Sequence, residues 1–164
     1  MELFDVLDKD GKPTGEVHDR ATPLPRNSYH LVVLVIVTNS QNKLLIMFRH
    51  PDKLSGNCWE ISGGSALAGE DSLTAVQREL SEETGIYLPK EKFRFIRRKK
   101  CRTSFQDIYH AVADIPVEDI TFQEGETAGA KWVDKEEFIE LVESGRFCSH
   151  IYKRYYDDIL NLIK

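Results

Sequence analysis

The sequence lacks the features that mark membrane proteins and disulfide-stabilised scaffolds. Its longest apolar run, Leu31 to Val37, is far shorter than the roughly 20 residues that a bilayer span requires. Met1 and Glu2 are followed by acidic and polar residues, so no signal peptide is predicted. Three cysteines are present, an odd number without metal-ligand spacing. We therefore expect no membrane contact, a cytoplasmic location and three reduced thiols.

Basic stripes, internal repeats and low-complexity segments are also missing. Hydrophobic residues make up 41% and charged residues 30% of the 164 residues, and the net charge is −5. These values are ordinary for a soluble globular protein. Without a basic stripe, a nucleic-acid duplex is not an expected partner. No linker interrupts the chain, so we expect one domain over residues 1–164.

The apolar pattern predicts strands on both sides of one central helix. Leu3 to Leu7 and Lys12 to Val17 flank an Asp-Gly turn, which predicts a hairpin. Further strands are predicted at His30 to Thr38, Lys43 to Arg49, Trp59 to Ile61, Phe93 to Arg98, Thr103 to Ala113 and Trp132 to Val133. Later helices are predicted from Asp134 to about Glu143 and from Ser149 to Leu162. This order predicts an α/β sandwich around a mixed sheet.

The central helix is predicted from Asp71 to Thr84, where Leu73, Val76 and Leu80 recur at helical spacing. Asp71 is the expected N-cap, and Gly85 follows as the residue that ends the helix.

Three carboxylates, those of Glu79, Glu82 and Glu83, share one face of this helix. Like charges at this spacing destabilise a helix by roughly a few tenths of a kcal/mol per pair. A solvated acidic face is one interpretation of the cluster. The other is a site for Mg²⁺ or Mn²⁺, which prefer hard oxygen ligands. Gly63 and Gly64, shortly before the helix, would allow the backbone to approach an ion or a phosphate closely.

The whole stretch resembles the Nudix box. That motif has a glycine, five residues, a glutamate, seven residues, Arg-Glu, an aliphatic residue, any residue, Glu-Glu, any residue, glycine and an aliphatic residue. This sequence matches it without a spacing error at Gly64, Glu70, Arg78, Glu79, Leu80, Glu82, Glu83, Gly85 and Ile86. The resemblance implies the Nudix fold, a divalent metal and cleavage of a diphosphate linked to another group.

The resemblance also implies roles for individual residues. Glu79, Glu82 and Glu83 would be metal ligands, with Gly64 as a backbone ligand. Glu70 and Arg78 would orient the glutamates.

Outside the box, some Nudix members use a glutamate before a Trp strand as a metal ligand or catalytic base. Glu126 fits this place best and Glu124 second, and an exposed loop glutamate is the alternative. Arg49 and Lys53 are candidates for binding substrate phosphates, or else solvent-facing charges at a strand end.

Two other functions stay open at this point. The early Gly-Lys-Pro-Thr-Gly segment, His30 and the Leu44 to Arg49 strand resemble the isopentenyl diphosphate isomerase branch. That branch uses a cysteine after the Trp strand, which is missing here. A non-catalytic diphosphate-binding module is the second alternative. His30 is then either a structural residue or a remnant of a metal site.

The attached group of the substrate is not specified by the motif. Nucleoside diphosphate sugars, nucleoside triphosphates, dinucleotides and isoprenoid diphosphates all satisfy it, and a homodimer is left open.

Overall fold

The strands and helices follow the predicted order closely. The computed structural model describes residues 1–53 and 55–164. The strands are β1 (Leu3–Leu7), β2 (Pro13–Asp19), β3 (His30–Thr38), β4 (Leu44–Arg49), β5 (Trp59–Glu60), β6 (Ser62–Ser65), β7 (Arg94–Lys100), β8 (Ser104–Val112) and β9 (Thr127–Val133). The helices are α1 (Ser72–Thr84), α2 (Lys135–Glu143) and α3 (Ser149–Leu160). Compared with the sequence-based prediction, β9 begins earlier and β6 is an additional strand.

Seven strands form one mixed sheet, and β1 and β2 form a separate hairpin. The pair β3 and β8 is parallel along its whole length, whereas the other pairs are antiparallel. Strands β3 and β4 pair only at Thr38 and Leu44, next to their turn. Beyond that point β6 pairs with β3, while β5 and β9 pair with β4. Within this one sheet, β3 and β4 are therefore hydrogen-bonded at one end only and are separate from each other along the rest of their length.

The sheet is covered by helices on both faces, which confirms the predicted sandwich. Val33, Val35 and Val37 pack in one core with the apolar side of α1. Leu34 and Ile36 pack in the other core with α2 and α3. Successive side chains of a strand point to opposite faces, so a strand buried on both faces has a continuous apolar run. This explains why β3 consists almost entirely of Val, Leu and Ile.

Helix α1 begins and ends at the predicted residues. The Asp71 side chain accepts a hydrogen bond of 2.7 Å from the backbone N–H of Thr74. Gly85 has a φ of +71° and donates its N–H to the Ser81 carbonyl. Only glycine adopts this left-handed conformation without a steric penalty, so the helix ends there. The cap and the glycine thus hold α1 in a defined register against β6.

The prediction of three reduced thiols is wrong for two of the cysteines. Cys58 and Cys148 form a disulfide with a Cα–Cα distance of 5.2 Å, and Cys101 remains a free thiol. The two bonded residues are 90 positions apart in the sequence, so their pairing depends on the tertiary fold. None of the helices in residues 1–53 and 55–164 is both long and apolar enough to cross a bilayer.

Candidate active site

A cavity of about 570 Å³ lies where β6 meets α1. The segment that follows the N-terminal hairpin contributes Arg20 to it, and the loop before β9 contributes Gln123. The predicted site residues that line it are Lys53, Gly64, Arg78, Glu79, Glu82, Glu83 and Glu126. Residues from separate parts of the chain therefore line the same cavity, and the acidic face of α1 forms part of its wall.

Arg78 is the centre of the hydrogen-bond network on this side. Its guanidinium donates to both oxygens of Glu70, at 2.8 and 3.0 Å. It also donates to Glu79 at 3.1 Å, to Glu82 at 2.9 Å and to the Ser65 carbonyl at 3.1 Å. Burial opposes ionisation of Glu70, but the hydrogen bonds from Arg78 and from the Leu67 N–H, with the charge of Arg78, together hold the pKa of Glu70 below its usual value. Arg78 thus connects the loop before α1 with two carboxylates of the helix.

Two of the helix carboxylates are held in an environment that opposes their charge. Burial raises the pKa of Glu79, although Arg78 partly offsets the effect. Burial, with the nearby charges of Glu79 and Glu60, raises the pKa of Glu83 to about 8. The Glu83 carboxylate accepts one hydrogen bond of 3.2 Å from the Gly63 N–H. Glu82 is different, since 46% of its side chain is exposed.

The glycine pair in β6 leaves no space for a side chain. A Cβ atom on Gly64 would lie 2.4 Å from a carboxylate oxygen of Glu79. A Cβ atom on Gly63 would lie 2.3 Å from the Val33 carbonyl oxygen in β3. Both distances are far inside van der Waals contact. The backbone of β6 therefore lies directly against the acidic side of α1.

Away from the helix in the sequence, but in the same cavity, Lys53 forms an ion pair with Glu126. Burial, followed by the charge of Arg49, lowers the pKa of Lys53. Glu126 is among the residues that line the cavity, and its partner is the lysine that the sequence suggested for phosphate binding. The ion pair thus joins the loop that carries Lys53 to the loop that carries Glu126.

Arg49 lies in a smaller adjoining cavity of about 130 Å³, which shares Gly63 and Gly64 with the larger one. Its guanidinium donates to Glu60 at 3.1 Å, and His150 of α3 lies 3.9 Å from the same carboxylate. Burial raises the pKa of Glu60. Glu60 was not predicted from the sequence, because an acidic residue between Trp59 and Ile61 in a strand normally faces solvent.

His30 has a structural role. Its Nδ1 atom lies 3.0 Å from the Thr103 carbonyl oxygen, and its ring packs 4.9 Å from the Phe4 ring. Burial lowers its pKa. The interpretation of His30 as a structural residue is therefore the one that its contacts support.

The donor set near α1 suits a hard divalent ion chemically. Within residues 1–53 and 55–164, no three acidic, histidine or cysteine side chains are already grouped as a metal site. Carboxylate oxygens of Glu79 and Glu83 nevertheless lie in one cavity, beside the backbone of Gly64 and of Gly63 respectively. Burial disfavours the charge of both, and a bound cation would favour it. The residues fit Mg²⁺ or Mn²⁺, provided that the carboxylates bound by Arg78 reorient.

The comparison with known families agrees with this geometry. The family model described as the NUDIX domain matches residues 28–153, which include β3 to β9 and the start of α3. The chain belongs to the Nudix family. Its acidic helix, its mixed sheet and its glycine pair are thus those of a Nudix domain, and it is an enzyme of the Nudix hydrolase class.

Individual relatives are similar over most of their length. An uncharacterised Nudix hydrolase of Listeria monocytogenes is 36% identical over 154 residues, which are 93% of this chain and 91% of that protein. An RNA pyrophosphohydrolase of Pelagibacter ubique is 32% identical over 82% of this chain and 92% of its own length. The crystal structure of DR0079 from Deinococcus radiodurans has a TM-score of 0.74 at 23% identity, and covers 90% of this chain and 92% of that one.

The raised pKa of Glu83 predicts how the metal-free Nudix domain responds to pH. Because the folded pKa of about 8 lies above the ordinary value of 4.5, the folded protein retains a proton that the unfolded chain releases between these values. Its stability should therefore fall as pH rises through this range. Between pH 6.5 and 8 in EDTA, we expect the free energy of unfolding to drop by about 1–2 kcal/mol more in the wild type than in Glu83→Gln.

Urea denaturation at four pH values in this range measures the effect. Histidines with lowered pKa values, such as His30, also change the stability at the lower end of this range, but they are present in both proteins, so their contribution cancels in the comparison. Equal slopes for the two proteins would contradict the assigned environment of Glu83.

Proposed function

We propose that this protein is a metal-dependent hydrolase that cleaves a diphosphate bond in a nucleoside diphosphate linked to another group, or in a related organic diphosphate. The observation that carries the proposal is the pair of carboxylates held against the two glycines of β6, Glu79 against Gly64 and Glu83 against Gly63, in a cavity large enough for such a substrate. A bound Mg²⁺ or Mn²⁺ ion would neutralise the diphosphate and lower the pKa of a coordinated water.

The carboxylates of Glu79, Glu82 and Glu83, with the Gly64 carbonyl, would hold the ion. Arg78 limits where the first two of these carboxylates can lie, because its hydrogen bonds to Glu70 fix its own guanidinium. Fixing a ligand through a second group preserves the geometry that a metal requires. Arg78 and Glu70 therefore act as positioning residues.

The attacking water must lose a proton, and a carboxylate at the cavity is the acceptor. Glu126 is one candidate, and a member of the helix triad is the other. Lys53, which is paired with Glu126, would move to a substrate phosphate when one enters and would leave Glu126 able to accept the proton. Arg49 lines the adjoining cavity, which shares Gly63 and Gly64 with the larger one, so it is the second candidate for binding a substrate phosphate.

The partner that fits this arrangement is a small-molecule diphosphate. The relative from Pelagibacter ubique is named an RNA pyrophosphohydrolase, which brings a 5′-diphosphate or triphosphate end into the set of compounds to be tested. The cytoplasmic location, the single domain over residues 1–164 and a homodimer remain predictions from the sequence.

The proposal is tested with a panel of nucleoside diphosphate sugars, nucleoside triphosphates, dinucleotides, isoprenoid diphosphates and a 5′-triphosphorylated oligonucleotide. We expect phosphate or nucleotide products to form from at least one class with Mg²⁺ and at most about 1% as fast in EDTA. Release that is unaffected by EDTA would contradict metal dependence.

The same assays distinguish the alternatives. Conversion of isopentenyl diphosphate without phosphate release would identify an isomerase, although Cys58 is bonded to Cys148 and the segment after the Trp strand has no cysteine. Binding of a diphosphate without any turnover would identify a non-catalytic module.

A further inference from the structure

The disulfide lies at a junction between two elements that otherwise have few connections. Cys58 precedes β5, and Cys148 is the N-cap residue of α3. Beside the disulfide, Trp59 donates its N–H to the Arg146 carbonyl at 2.8 Å and accepts the N–H of Cys148 at 2.7 Å. These bonds form one isolated bridge between Trp59 and Phe147. A covalent bond thus strengthens a contact that is only one bridge long.

This junction supports the residues next to the catalytic cavity. Glu60 directly follows Trp59, and His150 lies two residues after Cys148. The Glu60 carboxylate accepts a hydrogen bond of 3.1 Å from Arg49, and both residues line the smaller cavity together with His150 and the two glycines of β6. A movement of β5 relative to α3 would therefore change the shape of this cavity and the position of the Arg49–Glu60 pair in its wall.

The loop that ends at Cys58 also carries Lys53, the partner of Glu126. Cys58 directly precedes the bridge residue Trp59, and the carbonyl oxygen of Cys58 accepts a hydrogen bond of 2.9 Å from the Arg49 N–H. Fixing Cys58 to α3 limits the motion of the end of this loop. The disulfide thus restrains a loop on one side of the larger cavity and a strand beside the smaller one.

The two cysteines of the disulfide differ in solvent exposure, and this difference determines which sulfur atom a reductant attacks first. Cys58 is partly exposed, whereas Cys148 is 2% exposed. An incoming dithiol therefore attacks the sulfur of Cys58, and the sulfur of Cys148 leaves as a thiolate at the N-terminus of α3. The positive end of a helix dipole stabilises such a thiolate and makes it a better leaving group.

The reaction is balanced by the second thiol of the reductant. That thiol attacks the mixed disulfide and releases Cys58, so the dithiol becomes a disulfide and gives two electrons and two protons to the two cysteines. The released Cys58 thiol has a hydrogen-bond acceptor in place, because its sulfur lies 3.2 Å from the Ser55 carbonyl oxygen. Local structure therefore accommodates the reduced state as well.

We propose that the Cys58–Cys148 bond is a reversible redox latch that holds β5, with Glu60, and the loop that carries Lys53 in position at the catalytic cavity, and that its reduction by a dithiol lowers activity. The activity readout depends on the proposed diphosphate hydrolysis. The state of the two thiols and the thermal stability do not depend on it.

The experiment titrates the wild type and Cys101→Ser with dithiothreitol at defined ratios of its reduced and oxidised forms. Alkylation followed by mass spectrometry counts free thiols at each ratio. In the wild type we expect one reactive thiol in the oxidised protein and three in the reduced protein. In Cys101→Ser we expect none in the oxidised protein and two in the reduced protein. Over the same ratios we expect kcat/KM to fall about tenfold and Tm to fall by roughly 5–15 °C.

Cys148→Ser separates the bond from the helix cap, because serine is a good N-cap residue. It should have the low activity and low Tm of the reduced wild type at every ratio. Three reactive thiols in the air-oxidised protein would overturn the proposal, and so would a disulfide whose reduction leaves kcat/KM unchanged. If no diphosphate is cleaved in either redox state, the proposed hydrolysis is wrong. Independently of activity, a Tm that does not change with the number of free thiols would overturn the redox latch.

Discussion

Replacement of Glu83 by glutamine is expected to lower kcat/KM by roughly 1,000-fold, which corresponds to about 4 kcal/mol of transition-state stabilisation. Glutamine has nearly the same volume and retains an oxygen that can accept the Gly63 N–H, so the fold should persist. What it removes is the negative charge that Glu83 would have beside Glu79 when a cation is bound. Without that charge the proposed ion loses a ligand, and the remaining carboxylate cannot compensate alone.

Steady-state kinetics at saturating Mg²⁺, together with circular dichroism, test this expectation. Glu143→Gln is the matched control, because Glu143 is an exposed residue at the end of α2 and should retain full activity. Glu82→Gln should have a smaller effect than Glu83→Gln, since Glu82 is half-exposed and bound to Arg78. If Glu83→Gln retained more than about a tenth of the activity, the carboxylate of Glu83 would not be a part of the catalytic site.

Alanine substitutions at the two neighbouring glycines of β6 should have different effects. In Gly63→Ala the new methyl group would lie 2.3 Å from the Val33 carbonyl oxygen, which belongs to the backbone of a central strand. Such overpacking typically costs about 1–3 kcal/mol or more, so we expect Tm to fall by roughly 5–10 °C. In Gly64→Ala the obstacle is the end of the Glu79 side chain, which can rotate away.

Gly64→Ala should therefore fold nearly as well as the wild type and lose activity, by about 10- to 100-fold, because Glu79 is displaced from its place beside Arg78. Calorimetry and kinetics on the two purified variants separate the effects. Equal losses of Tm in both variants would mean that Glu79 is held too rigidly to move. Full activity in Gly64→Ala would mean that the position of Glu79 is not critical.

The helix α1 and its residues could be predicted because all the signals are local. The cap at Asp71, the apolar spacing of Val76 and Leu80 and the glycine at 85 lie within four turns of one helix. Strand β3 was also predictable, since its apolar run has no polar interruption. In both elements the residues that decide the structure are neighbours in the sequence.

Contacts between distant segments could not be predicted in this way. Glu60 lies in a two-residue strand, and its partners Arg49 and His150 belong to β4 and α3. The pairing of Cys58 with Cys148 closes a separation of 90 residues, and an odd number of cysteines suggested no disulfide at all. Such pairs depend on how the strands and helices are placed in space, which no local pattern specifies.

The origin of the cavity's lining in separate parts of the chain has an evolutionary consequence. The carboxylates proposed to hold the ion come from one helix, whereas Arg20, Lys53 and Glu126 come from three separate connecting segments. Mutations can therefore alter the segments that line the rest of the cavity while the helix remains unchanged. In such an architecture, new substrate preferences can arise without any change to the reaction itself.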